Sequence, residues 1–277
     1  MTTSAVSFGP RLVGSPAGTL RAALVARPSV RIERASPLIG EPGAIFGRAI
    51  EQFDVLVRTL RYFEVAVTVV EAGEEDPLAC AVADDAVLFE SGATLMRPAR
   101  MSRRNEPERL AAKFAAIDVP LGGRISAPGL LDGGDILLVD DLAFVGVGAS
   151  GNEVGRAGFA QIARAGGFEV RYVTLAPGVR SLRSVAGLLG SRTVALATEK
   201  ADAAPFDGLE IVAIERGEES AAGVVTLGDR HVIADVRYRT ALRAMRRVGI
   251  EVEGLDLYEF EKIGITPSML VLPLARA

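Results

Sequence analysis

Pairs of short apolar runs recur along the chain, and a short polar turn separates the two runs of each pair. Each pair predicts a β-hairpin, because strands bounded by such turns fold back on themselves. Counted between equivalent leucines, successive pairs lie roughly 50, 50 and 40 residues apart, a spacing that indicates a repeated supersecondary unit. The four predicted hairpins are residues 86–89 with 93–96, 136–139 with 142–145, 185–189 with 193–197, and 224–227 with 231–234.

The segments after the hairpins predict an α/β chain. The predicted helices are residues 44–63, 107–116, 153–165 and 237–248, with a short Pro205-containing segment in the third repeat. Predicted strands follow at residues 65–70, near Ile117, and at 168–175, 209–214 and 251–257. The opening strand, residues 20–26, and the last apolar run, residues 269–274, each lack a hairpin partner. Pairing them would close a ring. A doubly wound sheet is the competing prediction, but repeated hairpins disfavour it because parallel strands connect through helices.

We find no linker that divides the chain, so we predict an N-terminal arm at residues 1–18 and a single domain at 19–277. The single cysteine excludes an internal disulfide, which fits a reducing compartment. Residues 1–18 lack the pattern of a secretory signal, and no apolar run has the length of a membrane span. We therefore expect a cytoplasmic protein without a membrane partner. The formal net charge of −4 argues against nucleic acid as a partner.

Two acidic segments are the candidates for chemistry. In Leu131-Asp132-Gly133-Gly134-Asp135, two glycines let the backbone turn sharply before a strand, which can aim a carboxylate inward. Asp84 opens the first hairpin, and we place it at the position of its unit that Asp132 occupies in the next. Two such carboxylates would suit a guanidinium, whose N–H groups match carboxylates in a bidentate manner. Solvated turn residues are the alternative for both.

The single cysteine and the single histidine are weak candidates for catalytic residues. Cys80 belongs to an apolar segment, and a buried cysteine usually behaves as a small hydrophobic residue. His231 begins the second strand of the last hairpin, and nothing in the sequence puts it near an acid or a nucleophile. We predict no metal and no cofactor, because no calcium loop and no phosphate-binding glycine loop is present.

Taken together, these segments resemble the pentein superfamily, whose members modify guanidino groups on a five-fold pseudo-symmetric ββαβ propeller. The chain is most similar to the dimethylarginine dimethylaminohydrolase, arginine deiminase-like and amidinotransferase members. The resemblance covers nearly the whole chain. It rests on residues 18–28, Asp84-Asp85-Ala86-Val87, Arg97-Pro98, Ser102-Arg103-Arg104, Leu131-Asp132-Gly133-Gly134-Asp135, Leu255-Asp256-Leu257 and Glu259-Phe260-Glu261-Lys262.

The resemblance implies that several family residues are replaced. Family members attack the guanidinium carbon with a cysteine of the last strand and use a histidine as acid and base. Alignment puts Met269 at the cysteine position and Ser181 at the histidine position. Methionine has no thiol to ionise. Three binding positions also differ, at Leu78, Ala83 and Ser150. Asp84, Asp132, Arg103 and Asn152 are the binding residues that the resemblance leaves.

Two functions follow as hypotheses. The first is a non-hydrolytic binder, or pseudoenzyme, of a small guanidino or amino-acid-like ligand. The second is an enzyme with altered chemistry on the amidinohydrolase scaffold, acting on a small arginine-like substrate through Asp84 and Asp132, with Ser268 nearby. A hydrolase that uses Cys80 as a relocated nucleophile and a purely structural role are weaker alternatives. The sequence leaves a homodimer open.

Overall fold

A computed structural model describes residues 12–277 of the chain. The strands are β1 Leu20–Arg27, β2 Ala66–Glu71, β3 Ala86–Phe89, β4 Gly92–Leu95, β5 Leu121–Arg124, β6 Ile136–Val139, β7 Leu142–Val147, β8 Glu169–Thr174, β9 Ala186–Gly190, β10 Thr193–Leu196, β11 Glu210–Ala213, β12 Val225–Gly228, β13 His231–Asp235, β14 Glu251–Leu255 and β15 Val271–Arg276. The α-helices are α1 Phe46–Tyr62, α2 Glu106–Ala116, α3 Glu153–Ala165, α4 Arg239–Arg247, α5 Tyr258–Glu261 and α6 Pro267–Leu270.

The described strands form three-stranded sheets with one repeated topology. Their orders are β15-β1-β2, β3-β4-β5, β6-β7-β8, β9-β10-β11 and β12-β13-β14. In each sheet the middle strand is antiparallel to the first and parallel to the third. The four predicted hairpins are confirmed as the antiparallel pairs, and the predicted pairing of the two end strands is confirmed as β1 with β15.

Two predictions of local structure were wrong. A strand was expected near Ile117, but Ile117 is the C-terminal cap of α2 and the strand is β5. The final apolar run was expected to be one strand from residue 269, but its first two residues belong to α6. Pro267 favours this turn, because its ring fixes φ at a helical value and the first turn needs no N–H from it.

Short 3-10 turns precede the first strand of four sheets. They span Val82–Asp84 before β3, Gly133–Asp135 before β6, Leu182–Ser184 before β9 and Glu219–Ala222 before β12. The turns before β3, β6 and β9 pack against one another, so Asp84 comes close to the segment that begins at Asp132. They carry the candidate site described below.

The core lies between the sheets and the helices, and it leaves a cavity between the sheets. Helix α1, for example, buries Phe53, Leu56 and Leu60 completely against the sheet that contains β1 and β2. The first strand of every sheet, namely β3, β6, β9, β12 and β15, contributes residues to one cavity of about 100 Å³. We refer to this space as the central cavity.

The predicted arm, residues 1–18, lies largely outside the described residues, and its boundary stays a prediction. Of its described part, Leu12 is buried and its N–H donates a hydrogen bond to the carbonyl of Glu90. Among residues 12–277, no helix combines the length and the apolar character that crossing a membrane requires.

Candidate functional site

The two predicted acidic segments come into contact through their 3-10 turns. The N–H of Gly134 donates a hydrogen bond of 3.1 Å to Asp84 Oδ1. A Cβ atom at Gly133 would overlap the carbonyl oxygen of Ala83, so a residue without a side chain is needed where the two turns touch. The two glycines therefore serve close packing between repeats as well as the turn that the sequence predicted.

Asp84 is buried and already binds two guanidinium groups of the chain. Arg103 Nη1 lies 2.6 Å from Asp84 Oδ2, and Arg180 Nη2 lies 3.0 Å from the same oxygen. The side chain of Arg103 is fully buried, whereas that of Arg180 is 21% exposed. The carboxylate of Asp84, which was predicted to bind a guanidinium, thus binds two guanidinium groups of the chain itself. The guanidinium group of Arg180 is the one nearer to solvent.

Arg103 does not occupy the role that the resemblance implies. It was expected to be one of the ligand-binding residues, but its donors are directed at the protein itself. Besides Asp84, Nε binds Glu106 at 2.8 Å and Nη2 binds the carbonyl oxygen of Ala81 at 3.1 Å. Because the whole side chain is inaccessible to solvent, Arg103 is a buried partner of the acidic residues and not an open ligand contact.

The arginines determine the charge on Asp84. Burial alone would raise the pKa of Asp84, but the positive charges of Arg103 and Arg180 outweigh this effect and lower it. Asp84 is therefore an anion. Burial raises the pKa of the neighbouring Asp85 and of Glu106, against the opposing effect of Arg103.

Asp132 has a different environment from Asp84, and its position in the repeat is also different. Asp84 is the last residue of its 3-10 turn, whereas Asp132 precedes the corresponding turn. The expected equivalence was therefore wrong, and Gly134 is the residue that lies opposite Asp84. Asp132 Oδ1 accepts a hydrogen bond of 2.8 Å from the N–H of Ala99. Burial, aided by the negative charge of Asp84, raises the pKa of Asp132 to about 6.

The positions at which the resemblance implied lost family residues are closed to solvent. Met269 is fully buried and packs with Cys80 and Ala81 in one apolar cluster, and Leu78 belongs to the same cluster. Ala83 is also fully buried. Ser181 is 1% exposed, and its Oγ has no hydrogen-bond partner within residues 12–277.

Asn152, from the predicted binding set, and Ser150, at one of the replaced positions, both bind other groups of the chain. Asn152 caps the N-terminus of α3: its Oδ1 accepts hydrogen bonds from the N–H groups of Gly155, at 2.8 Å, and Leu130, at 2.9 Å. Its Nδ2 donates to the carbonyl of Pro128 at 3.0 Å. A ligand contact of Asn152 stays a prediction, whereas its capping role was indicated by the preference of asparagine for the N-cap position before a helix. Ser150 Oγ contacts Asp135 Oδ2 and the carbonyl oxygen of Arg180.

Ser268 lies on α6, which packs against the 3-10 turn that carries Asp84. Its Oγ contacts the carbonyl oxygen of Arg183 at 3.2 Å and Thr266 Oγ1 at 3.1 Å. The residue also lines the central cavity. Its hydroxyl is thus engaged in holding α6 against the turn that precedes β9.

Cys80 and His231 are not arranged as a nucleophile and a base. Burial raises the pKa of the Cys80 thiol to about 12, so it stays protonated near neutral pH. His231 Nε2 lies 3.1 Å from Glu253 Oε1 on the sheet of β13 and β14, a neighbour that the sequence did not indicate. With Glu251, these two residues offer ligand atoms within 4.8 Å of one another, although no metal was predicted.

Sequence reasoning missed Arg180 and Glu106 at this site. Arg180 contacts a residue 96 positions away, and no local pattern reports such a pair. A signal existed for Glu106, which follows Arg103 by three residues, the spacing at which side chains meet across one turn.

Comparison with known proteins supports the same fold. No model of a protein family matches the sequence. The chain is 27% identical over 225 residues to N(G),N(G)-dimethylarginine dimethylaminohydrolase of Pseudomonas aeruginosa, covering 81% of this chain and 87% of that protein. It is 28% identical over 261 residues to the enzyme of the same name from Streptomyces coelicolor, covering 87% and 92%.

A solved structure agrees. A cysteine-to-serine variant of the Pseudomonas aeruginosa enzyme, complexed with citrulline, superposes with a TM-score of 0.84 at 24% identity, covering 92% of this chain and 99% of that one. The chain therefore has the same mixed α/β fold as that protein.

Proposed function

We propose that this chain, which has the fold of the pentein superfamily of guanidino-modifying proteins, binds a small guanidino or amino-acid-like molecule and does not hydrolyse it. The supporting observation is the contact of 3.0 Å between Arg180 Nη2 and Asp84 Oδ2. In this contact a carboxylate of the chain binds a guanidinium of the chain. A ligand guanidinium would need the same kind of contact. A structurally similar protein has been solved with citrulline, an amino acid of related shape.

The absence of hydrolysis follows from the available side chains. The reaction that the resemblance implies needs a thiolate and an imidazole near the guanidinium carbon. The one cysteine is held as a thiol by burial, with its pKa raised to about 12, and the one histidine is engaged with Glu253. Alignment from the resemblance puts Met269 and Ser181 at the two catalytic positions, and neither can supply the missing groups.

A ligand would replace Arg180 on Asp84 while Arg103 stays in place. The two arginines share one oxygen of Asp84, but only Arg180 reaches solvent. Arg103 is also bound by Glu106 and by a backbone carbonyl, so its displacement would break several hydrogen bonds at once. Removing the Arg180 guanidinium should therefore open the site without unfolding it.

We expect Arg180→Gln to bind guanidino ligands at least tenfold more tightly than the unmodified protein. The reason is that the ligand no longer competes with a tethered guanidinium, and tenfold corresponds to about 1.4 kcal/mol. The measurement is a thermal-shift and calorimetric titration with arginine, methylated arginines, agmatine, guanidinoacetate, citrulline and ornithine. At 100 times Kd, a ligand adds about 2.7 kcal/mol, or several degrees. Asp84→Asn should abolish the shift.

Arg100→Gln is the matched control. Arg100 is also a partly exposed arginine on a buried aspartate, since its Nε lies 2.9 Å from Asp76 Oδ2, but it is outside the Asp84 site. It should leave ligand affinity unchanged. Equal affinities for ornithine and arginine would contradict guanidinium recognition. A flat panel in both the unmodified protein and Arg180→Gln would reject the proposed ligand class.

One observation favours the second candidate, an enzyme with altered chemistry. The environment lowers the pKa of Asp84 and raises that of Asp132 to about 6, and such divergence is how paired carboxylates acquire separate acid and base roles. Mass spectrometry after incubation with methylated arginines separates the two candidates. A product that disappears in Asp132→Asn, with ligand binding preserved, would support the enzyme; a binder releases none.

We also propose that the five sheets surround the central cavity as a five-fold pseudo-symmetric ββαβ propeller. The support is that the first strand of each sheet contributes to the cavity lining. Residues 19–277 would then form one domain, as the sequence predicted.

A further inference from the structure

The central cavity is lined by two arginines that have no acidic partner among residues 12–277. Most of its lining comes from apolar residues of the five first strands, but Arg183 and Arg276 also contribute. Arg276 is 7% exposed, although it is the penultimate residue of the chain. Within residues 12–277 neither arginine forms a salt bridge. Arg183 is partly buried. Charges withdrawn from water are ordinarily paired, so this arrangement requires an explanation.

The hydrogen bonds of the two side chains hold them in place without neutralising them. Arg276 Nη1 donates to the carbonyl oxygen of Gly18 at 2.9 Å, and Nη2 donates to that of Thr226 at 2.8 Å. Arg183 Nη2 donates to the carbonyl oxygen of Ser268. A guanidinium has five N–H donors, so each arginine keeps further donors beyond those that the carbonyl groups of residues 12–277 accept.

Buried Arg103, in the same molecule, is a guanidinium group whose charge is balanced by acidic partners. It binds Asp84 and Glu106 directly. The carboxylate that acts on Arg183 from a distance is Asp84, and that group is already shared by Arg103 and Arg180. The positive charge at the cavity therefore exceeds what the neighbouring acidic residues balance.

The environment of the cavity lowers the pKa of both arginines, but both side chains keep their positive charge. Burial lowers the pKa of Arg183 to about 10. Burial also lowers the pKa of Arg276 to about 9, and the repulsion from Arg183 adds to the effect. Both values lie above neutral pH, so both side chains are cations. Both arginines line the same cavity.

We propose that the central cavity binds a small dianionic oxyanion, of the phosphate and sulfate class, between Arg183 and Arg276. Guanidinium groups bind such oxygens through pairs of N–H donors, and two cations match a charge of two. The volume of about 100 Å³ is well above the roughly 10–15 Å³ that one water needs, so a tetrahedral ion fits. Asp84 acts on Arg183 only from a distance and is not part of the cavity lining.

Phosphate titration of the full chain tests the proposal. Isothermal calorimetry with sodium phosphate, against sodium chloride of equal ionic strength, should give saturable binding of one phosphate per chain. Sulfate should compete with phosphate, and acetate should compete at least tenfold less well because it carries one charge. Binding of a phosphate monoester in place of free phosphate would identify an organic phosphate as the natural ligand.

Two variants, one at each arginine, keep the test independent of folding defects. Arg276→Met and Arg183→Met should each weaken phosphate binding at least tenfold. Arg192→Met is the control, because Arg192 is 54% exposed and its partner is Asp140. In chloride, Arg276→Met should unfold at or above the temperature of the unmodified protein, since it removes an unpaired buried charge.

Two results would overturn the proposal. The first is the absence of saturable phosphate and sulfate binding to the unmodified protein. The second is phosphate binding that Arg276→Met and Arg183→Met leave unchanged. If Arg276 only tied the chain end to Gly18 and Thr226, Arg276→Met would lower the unfolding temperature by the same amount in chloride and in phosphate.

Discussion

Replacement of Arg103 by methionine is expected to lower the free energy of unfolding by about 3–5 kcal/mol, the range for breaking a buried ion pair from one side. Arg103 is completely buried and bridges Asp84, at 2.6 Å, and Glu106, at 2.8 Å. Methionine fills much of the space but offers no donor. Glu106 would then lie buried without its cation, and Asp84 would keep only Arg180.

The loss of stability in Arg103→Met should be smaller at low pH than at high pH. Burial already raises the pKa of Asp85 and of Glu106, and Arg103 works against that rise. Without Arg103, both carboxyl groups should take up protons more readily in the folded protein. Protonation removes the buried charge, so Arg103→Met should be closer to the unmodified protein at pH 5 than at pH 8.

Urea unfolding at pH 5, 7 and 8 measures this effect, with the midpoint and the slope fitted separately. Arg124→Met is the control, because Arg124 pairs with Glu108 at the surface, with side-chain exposures of 53% and 65%. Exposed pairs contribute about 0–1 kcal/mol. A loss at Arg103 no greater than the loss at Arg124 would show that the buried cluster does not depend on its central cation.

The sequence predicted those elements whose structure is determined locally. The turn Asp140-Asp141 between two apolar runs gave β6 and β7, and Asp140 adopts a φ of 52°, which a short polar side chain tolerates. Strand β5 was missed because its residues, with two adjacent glycines, have little intrinsic preference for a strand. Its extended conformation comes from pairing with β4, a contact between segments that no local pattern reports.

The candidate site was predictable in residue type but not in orientation. The acidic motifs correctly identified Asp84 and Asp132 as buried carboxylates, and the resemblance identified Arg103. Local spacing could not reveal that Arg103 points away from solvent, or that Arg180 reaches Asp84 across two repeats. These contacts depend on how the 3-10 turns of different sheets pack, and the sequence of one turn does not encode that packing.

Asp135, the second acid of the Asp-Gly-Gly-Asp motif, should be protonated in the folded protein up to near neutral pH. Its Oδ1 accepts a hydrogen bond of 3.0 Å from the N–H of Leu182, and its Oδ2 contacts Ser150 Oγ. Ser150 Oγ also lies 3.0 Å from the carbonyl oxygen of Arg180. A hydroxyl has one proton, so it can donate to only one of these two oxygens. If Ser150 donates to the carbonyl, Asp135 must carry a proton and donate to Ser150.

The electrostatic environment agrees with this hydrogen-bond geometry. Burial, together with the negative charges of Asp132 and Asp84, raises the pKa of Asp135 to about 7, and the hydrogen bonds from Ser150 and Leu182 only partly oppose the rise. In the unfolded chain the carboxyl group should titrate near its ordinary value of 3.8. Between these two values the folded protein binds more protons than the unfolded chain. Stability from this group is therefore complete below about pH 4 and is lost as pH rises through about 7.

Asp135→Asn should remove that loss, because asparagine reproduces the protonated carboxyl group. Its Oδ1 can accept from Leu182, and its Nδ2 can donate to Ser150. The gap between the unfolding temperatures of Asp135→Asn and the unmodified protein should therefore widen in favour of the variant between pH 4.5 and pH 8. A pKa difference of about three units corresponds to at most about 4 kcal/mol, or on the order of 10 °C.

Thermal unfolding of both proteins across this pH range is the measurement, and Asp202→Asn is the matched control. Asp202 is exposed, and its Oδ1 accepts a hydrogen bond of 3.0 Å from the N–H of Ala204, so it shares the backbone contact but not the burial. The difference in unfolding temperature between Asp202→Asn and the unmodified protein should stay constant with pH. If the gap for Asp135→Asn is equally constant, or if that variant is the less stable protein at pH 8, then Asp135 is ionised in the folded state. Ser150 would then donate to Asp135, and the carbonyl of Arg180 would have to find another donor.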